Sequence, residues 1–157
     1  MNNNDVIIYT DGSSRGNPGP GGYGIVMEDC KTGFSKQYSK GFQQTTNNRM
    51  ELLAVIVGLE ALKNPKSNVM VYSDSKYVVD AVEKGWLFNW VKKDFKNKKN
   101  PDLWRRFLNI YNDHKVEFYW VKGHNNDFYN ERCDFLANLA AKNSNLIEDK
   151  GYTTNLN

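Results

Sequence analysis

The 157-residue chain is the size of one domain, and its 39% hydrophobic, 25% charged and 13% aromatic residues can bury a core rather than stay disordered. No stretch approaches the ~20 apolar residues that span a bilayer, and Met1-Asn2-Asn3-Asn4-Asp5 has neither the basic nor the apolar region of a secretory signal. Two cysteines, Cys30 and Cys133, make neither a disulfide scaffold nor a C-x-x-C metal site, so a soluble, cytoplasmic, monomeric domain with no membrane partner is expected.

The run Val6-Ile7-Ile8-Tyr9-Thr10 predicts a β-strand closing at Asp11-Gly12, followed by a glycine- and proline-rich loop over 16–22. Two more strands are expected over 23–27 and 34–41, joined by a turn near Lys31-Thr32-Gly33, so the chain opens as an antiparallel meander. Thr45-Thr46-Asn47-Asn48 supplies capping chemistry for a helix over 49–62, with Met50, Leu53, Ala54, Val57 and Ala61 on one stripe. Asn64-Pro65 closes it. A short apolar strand over 69–72 ends at a second capping cluster, Ser73-Asp74-Ser75, and leads into a helix through Val78, Val79 and Val82. Pro101 fits the first turn of another helix, with Leu103, Trp104, Phe107, Leu108 and Tyr111 on its apolar face. A strand over 116–121 and a helix over 131–142, with Cys133, Leu136, Ala137 and Ala140 inward, precede a polar tail over 144–157. Strand–helix alternation after an antiparallel start predicts an α/β fold, a mixed sheet with helices packed on it, in one domain with its core over 5–143.

Charge is unevenly spread. Between Trp86 and Arg106 seven basic side chains (Lys92, Lys93, Lys96, Lys98, Lys99, Arg105, Arg106) face two acids, Asp94 and Asp102. That segment is +5, which leaves −2 for the rest of a chain whose total is +3. One basic patch on a slightly acidic body points to a polyanion met by one face.

Four acids sit where bland readings strain. Asp11 and Asp74 each end an apolar strand, where alone they read as a turn residue and a helix cap. Glu51 and Asp134 lie within helices, where alone they read as solvated side chains. If the two strands are parallel neighbours, their ends share the crevice where open α/β sheets hold ligands, and flanking helices can bring two acids more. Four carboxylates so close repel and are raised in pKa unless cations neutralise them. All-oxygen donors suit Mg²⁺ or Mn²⁺ rather than zinc, and two-metal phosphoryl transfer follows.

The strings Tyr9-Thr10-Asp11-Gly12-Ser13, Gly16-Asn17-Pro18-Gly19-Pro20-Gly21-Gly22-Tyr23-Gly24 and Thr46-Asn47-Asn48-Arg49-Met50-Glu51-Leu52 occur in order along the chain. Ser73-Asp74-Ser75, Trp120-Val121-Lys122-Gly123-His124 and Asn130-Glu131-Arg132-Cys133-Asp134 follow them. Together they resemble bacterial-type ribonuclease H, type 1, over about residues 5–152. The resemblance implies a five-stranded mixed sheet, a basic protrusion over 85–100, and an endonuclease that cuts the RNA strand of RNA–DNA hybrids to 5′-phosphate and 3′-hydroxyl ends. It makes Asp11, Glu51, Asp74 and Asp134 the metal-binding acids. Two Mg²⁺ ions, with Mn²⁺ as a substitute, then activate water and stabilise the leaving oxygen. His124 matches the family's proton-shuttling or product-releasing histidine, although Asn125-Asn126-Asp127-Phe128-Tyr129 replaces the commoner glycine- and histidine-containing loop.

The same resemblance assigns the hybrid's contacts. Asn17, Thr46 and Asn48 meet the DNA strand or its phosphates, Asn47 lies near the RNA, and backbone around Gly12 and Ser14 approaches the 2′-hydroxyls. Lys76 stands where a polar residue is common and trades base-edge for phosphate contact. Trp86 meets DNA sugars, whereas Trp90 and Phe95 are expected to pack the protrusion onto the body. Lys92, Lys93, Lys96, Lys98 and Lys99 bind phosphates. Two other readings stay open: a non-catalytic hybrid-binding module, and another nuclease of the same broad fold.

Overall fold

In the computed structural model, which describes residues 4–122 and 127–154, β1 (Val6–Ser14), β2 (Gly19–Asp29) and β3 (Ser35–Thr45) form the antiparallel meander. β4 (Asn68–Ser73) and β5 (Lys115–Trp120) join parallel to β1, giving one mixed sheet in the order β3-β2-β1-β4-β5. The helices are α1 (Asn47–Glu60), α2 (Lys76–Glu83), α3 (Trp86–Lys92), α4 (Pro101–Tyr111), α5 (Phe128–Ala141) and α6 (Lys150–Thr154). None of the described helices is long and apolar enough to cross a membrane.

Residues 19–22, expected in a loop, belong to β2, and β1 runs on past Asp11 to Ser14. Gly22 looks like a loop former, but a Cβ there, as at the strand glycines Gly24 and Gly41, would overlap a backbone carbonyl oxygen of α5. The missing side chains let α5 lie directly on the sheet.

Alternation along β1 separates the two faces. Ile8 packs with α1 and with Trp104 and Phe107 of α4 in the main core, while Tyr9 joins Val26, Cys133 and Leu136 under α5. The expected single stripe on α1 is not what forms. Residues from Arg49 to Ile56 are all buried, because the sheet covers one side of the helix and α4 another. A helix apolar nearly all round is a buried helix. Thr46 caps it by accepting from the Arg49 N–H at 3.3 Å.

The protrusion and the tail are both tied down. Phe95 is 7% exposed beneath the Arg105 guanidinium, and Trp90 meets the Trp104 ring edge-on at 5.8 Å, so both pack inward as expected. After α5 the chain returns: Ile147 bridges to Phe42 in parallel, and the buried Asp149 accepts from Thr45 Oγ1 at 2.7 Å and from Arg49 Nε at 2.8 Å. Arg49, 2% exposed, also holds Asp102 of α4 at 2.9 and 2.8 Å and the Asn100 side chain at 3.2 Å.

Candidate active site

Parallel pairing places Tyr9 opposite Tyr72, and two residues further along each strand come Asp11 and Asp74. The two acids therefore lie side by side just past the end of the β1–β4 parallel pairing, as expected, although β1 itself runs on to Ser14 against β2. α1 brings Glu51 to them. A Cβ at Gly12 would overlap the backbone of Met50 and Glu51, so glycine alone lets the helix ride this low on β1. The Gly12 N–H then donates to Glu51 Oε1 and, at 2.9 Å, to Asp11 Oδ1. Committed inside the acid cluster, that N–H is not free for a sugar hydroxyl.

Carboxylate oxygens of Asp11, Glu51 and Asp74 lie within 4.8 Å of one another. The solvated-face reading of Glu51 fails, since its exposure is 5%. Asp134 approaches from α5 on the opposite face, near enough to act on the Asp11 carboxyl by charge and by hydrogen bond. Asn138, one turn on, steadies Asp134 by donating to Oδ1 at 3.1 Å. Sequence reasoning passed over Asn138, though an acid–amide pair at i, i+4 is a recognisable signal. It also passed over Trp120, whose indole N–H donates to the Asp74 carbonyl at 3.1 Å and whose ring lies 4.6 Å from Lys76 Nζ.

Burial, then the neighbouring Asp74 charge, pushes the Asp11 carboxyl up to about 8. Burial and the charges of Asp11 and Asp74 also hold Glu51 well above the usual carboxylate range. Asp74 Oδ1 is buried with no hydrogen-bond partner among the described residues. A buried acceptor without a donor, beside Asp11 and Glu51 held above their normal range, fits a cation. Oxygen donors alone suit a hard one such as Mg²⁺.

Apart from the buried Gly12, the contact residues named from sequence are at or near the surface, and Asn17, Thr46, Asn48, Lys98 and Lys99 line one cavity that holds no carboxylate among its described residues. Asn17, Asn47, Asn48 and Lys76 are exposed, Ser14 and Thr46 half-buried, and Asn17 Oδ1 accepts from the Asn47 N–H at 3.1 Å. Trp86 is 45% exposed, and Lys92, Lys93, Lys96, Lys98 and Lys99 all point to solvent. His124 lies outside the described residues.

Acids gathered where a parallel strand pair ends, in a chain that also carries a basic protrusion, fit a metal-dependent phosphoryl-transfer enzyme. The RNase H family matches residues 3–142. The chain is 55% identical over 150 residues to the ribonuclease H of Desulforamulus reducens, covering 92% of each. It is 52% identical to that of Trichodesmium erythraeum, covering 94% of this chain and 96% of the other. Among solved structures it resembles LC9-RNase H1, a type 1 RNase H with the type 2 active-site motif (TM-score 0.79, 33% identity, 90% of this chain and 74% of that one). LC11-RNase H1, solved in complex with an RNA/DNA hybrid, gives a TM-score of 0.61 at 29% identity, covering 87% of this chain and 96% of that one. The chain belongs to the ribonuclease H family, metal-dependent endonucleases that cut the RNA of RNA–DNA hybrids.

Proposed function

We propose that this chain hydrolyses the RNA strand of an RNA–DNA hybrid with two Mg²⁺ ions held by Asp11, Glu51, Asp74 and Asp134, leaving 5′-phosphate and 3′-hydroxyl ends. The observation that carries it is the cluster of three carboxylates within 4.8 Å, one with an unpartnered buried oxygen. Bound there, the cations supply an activated water and charge stabilisation at the leaving oxygen. The protein's own work is placement. Gly12 orients Asp11 and Glu51 through one N–H, Asn138 orients Asp134, and Trp120 fixes the backbone at Asp74. His124 takes or gives the proton as product leaves.

Asn17, Thr46, Asn47, Asn48, Lys76 and the segment around Gly12 and Ser14 line the hybrid's path, and Trp86 and the lysines of 92–99 grip the flanking backbone. The protein works as a cytoplasmic monomer of one domain, without membrane contact. A binder without catalysis gains nothing from clustered acids facing phosphates.

A labelled hybrid incubated with Mg²⁺ gives internal RNA cuts ending in 5′-phosphates, and none with chelator. Equal cutting of duplex DNA, or cutting in chelator, would sink the proposal. Changing Lys92, Lys93, Lys96, Lys98 and Lys99 to glutamine weakens hybrid binding with little change in kcat. Each lost phosphate contact lowers the slope of log K against log salt by about 0.9. An unchanged slope would make these lysines a solvated face.

A further inference from the structure

The Ser13 hydroxyl donates not to an acid but to an amide, Asn138 Oδ1 of α5, at 3.3 Å. Alternation along β1 turns Tyr9, Asp11 and Ser13 to the sheet face that α5 covers. The register sets Gly24 and Gly22 of β2 beside Asp11 and Ser13, and these are two of the glycines that let α5 lie directly on the strands. The Cys133 thiol donates to the Tyr9 carbonyl at 3.2 Å, so helix and strand are already in contact just before the acids. Two residues of strand advance ~6.7 Å. Four residues of helix rise ~6 Å. The steps match, and α5 meets β1 in two successive rungs: Asp134 beside Asp11, then Asn138 on Ser13.

The second rung has a fixed polarity. Asn138 Nδ2 donates to Asp134 Oδ1 at 3.1 Å and to the Asp134 main-chain carbonyl at 2.9 Å. A carboxylate and a carbonyl only accept, so the amide's NH₂ end faces Asp134 and its oxygen end faces β1. The Ser13 hydroxyl satisfies that oxygen. Asn138 is thus held at both ends, by its own helix and by the strand that carries Asp11. With Oδ1 engaged, the Asp134 carboxylate is held against rotation, although it belongs to a different layer from Glu51.

We propose that Ser13 is a positioning residue of the hybrid-cutting reaction, acting through Asn138 to hold the Asp134 carboxylate in register with Asp11 for the cation they share. This rests on the reading of the protein as a two-metal nuclease. Ser13 itself touches neither cation nor substrate in this role. Its removal leaves Asn138 tied only to α5, and the Asp134 carboxylate then loses its fixed relation to β1.

The test uses the full chain with Ser13→Ala, Asn138→Ala and the double variant. Mg²⁺ affinity is read without substrate, from the rise in melting temperature with Mg²⁺ concentration, and again from the Mg²⁺ dependence of cleavage. Asn138→Ala is expected to raise both midpoints about 10- to 100-fold, the range for a group behind a metal ligand. Ser13→Ala raises them about three- to tenfold, the range of one hydrogen bond. Because Ser13 acts through Asn138, the double variant matches Asn138→Ala instead of adding a further loss. Hybrid affinity in chelator, and KM at saturating Mg²⁺, stay at the parent's values. A Ser13→Ala protein with the parent's Mg²⁺ midpoints overturns the proposal. So do additive losses in the double variant, or a fall in hybrid affinity in chelator that accounts for the slower cleavage. A parent whose melting temperature ignores Mg²⁺ and which cuts no hybrid defeats the nuclease reading itself, so the two failures are distinguishable.

Discussion

Asp11→Asn leaves a folded protein that no longer cuts hybrid RNA, and in chelator at pH 8 it melts at a higher temperature than the parent. The activity loss exceeds the 10- to 100-fold typical of changing a group behind a metal ligand, because in the proposed function Asp11 itself supplies a ligand oxygen. The stability gain follows from protonation. Burial and Asp74 raise the Asp11 carboxyl from its ordinary 3.8 to about 8, so the native state holds this proton more tightly than the unfolded chain does. The contribution is present in full below about pH 4 and is lost as pH rises through about 8. Asparagine carries no such titration. The two melting curves therefore coincide near pH 4 and separate toward pH 8, by 2–4 °C for each kcal/mol in a chain of this size. Adding Mg²⁺ reverses the order, since the parent alone has the full acid set for the cation to bind. Scanning calorimetry across this pH range, with and without Mg²⁺, checks both halves. A variant that melts lower than the parent at pH 8 in chelator would show that the acids are not held in mutual repulsion.

Arg49→Met carries the largest stability cost expected here, about 3–5 kcal/mol, the usual result of leaving buried carboxylates unpaired. Asp149 keeps 8% of its side-chain surface exposed and has Thr45 as its remaining side-chain partner, while Asp102 at 35% regains some water. Burial raises the Asp102 carboxyl and Arg49 more than offsets it, so its net position is below the ordinary value. That part of the stability is present above the ordinary carboxylate range and is lost as pH falls through the lowered value. The Arg49→Met penalty accordingly shrinks in acid. Urea unfolding at pH 7 and pH 3 measures it, with the triple variant that adds Asp102→Asn and Asp149→Asn as control. Neutralising the stranded acids restores most of the loss. A single variant within 1 kcal/mol of the parent at pH 7 would mean that the tail is not anchored by this cluster.

How legible these features were depends on how local their causes are. The antiparallel opening, the parallel pair carrying Asp11 and Asp74, and the caps Thr46 and Ser75 follow from strand runs and capping letters a few residues apart. Glu51 read alone as a surface residue because the helix that hides its neighbours, α4, begins at Pro101, fifty residues on. Gly22 looked like a loop former because its reason is α5, more than a hundred residues later. The tail was the least readable part. Polar letters after Ala141 gave no hint that Asp149 is buried, since its partners Thr45 and Arg49 are about a hundred residues away. The four acids stood out by their places in strands and helices and then matched the family motifs; geometry joined three of them directly and put Asp134 beside Asp11.

Glu51 and Asp134 come from helices on opposite faces of one sheet, and that has a consequence for amide exchange. Lifting either layer away leaves the sheet hydrogen-bonded and still deprives the cluster of an acid. Catalysis therefore counts only molecules in which both layers are closed, and each opening equilibrium sets a ceiling on the active fraction. Under the proposed function, a cation held by acids from both layers would tie them together, and by linkage would oppose the detachment of each. Protection in α1 and in α5 is thereby coupled through the sheet's end, although the two helices belong to separate apolar clusters.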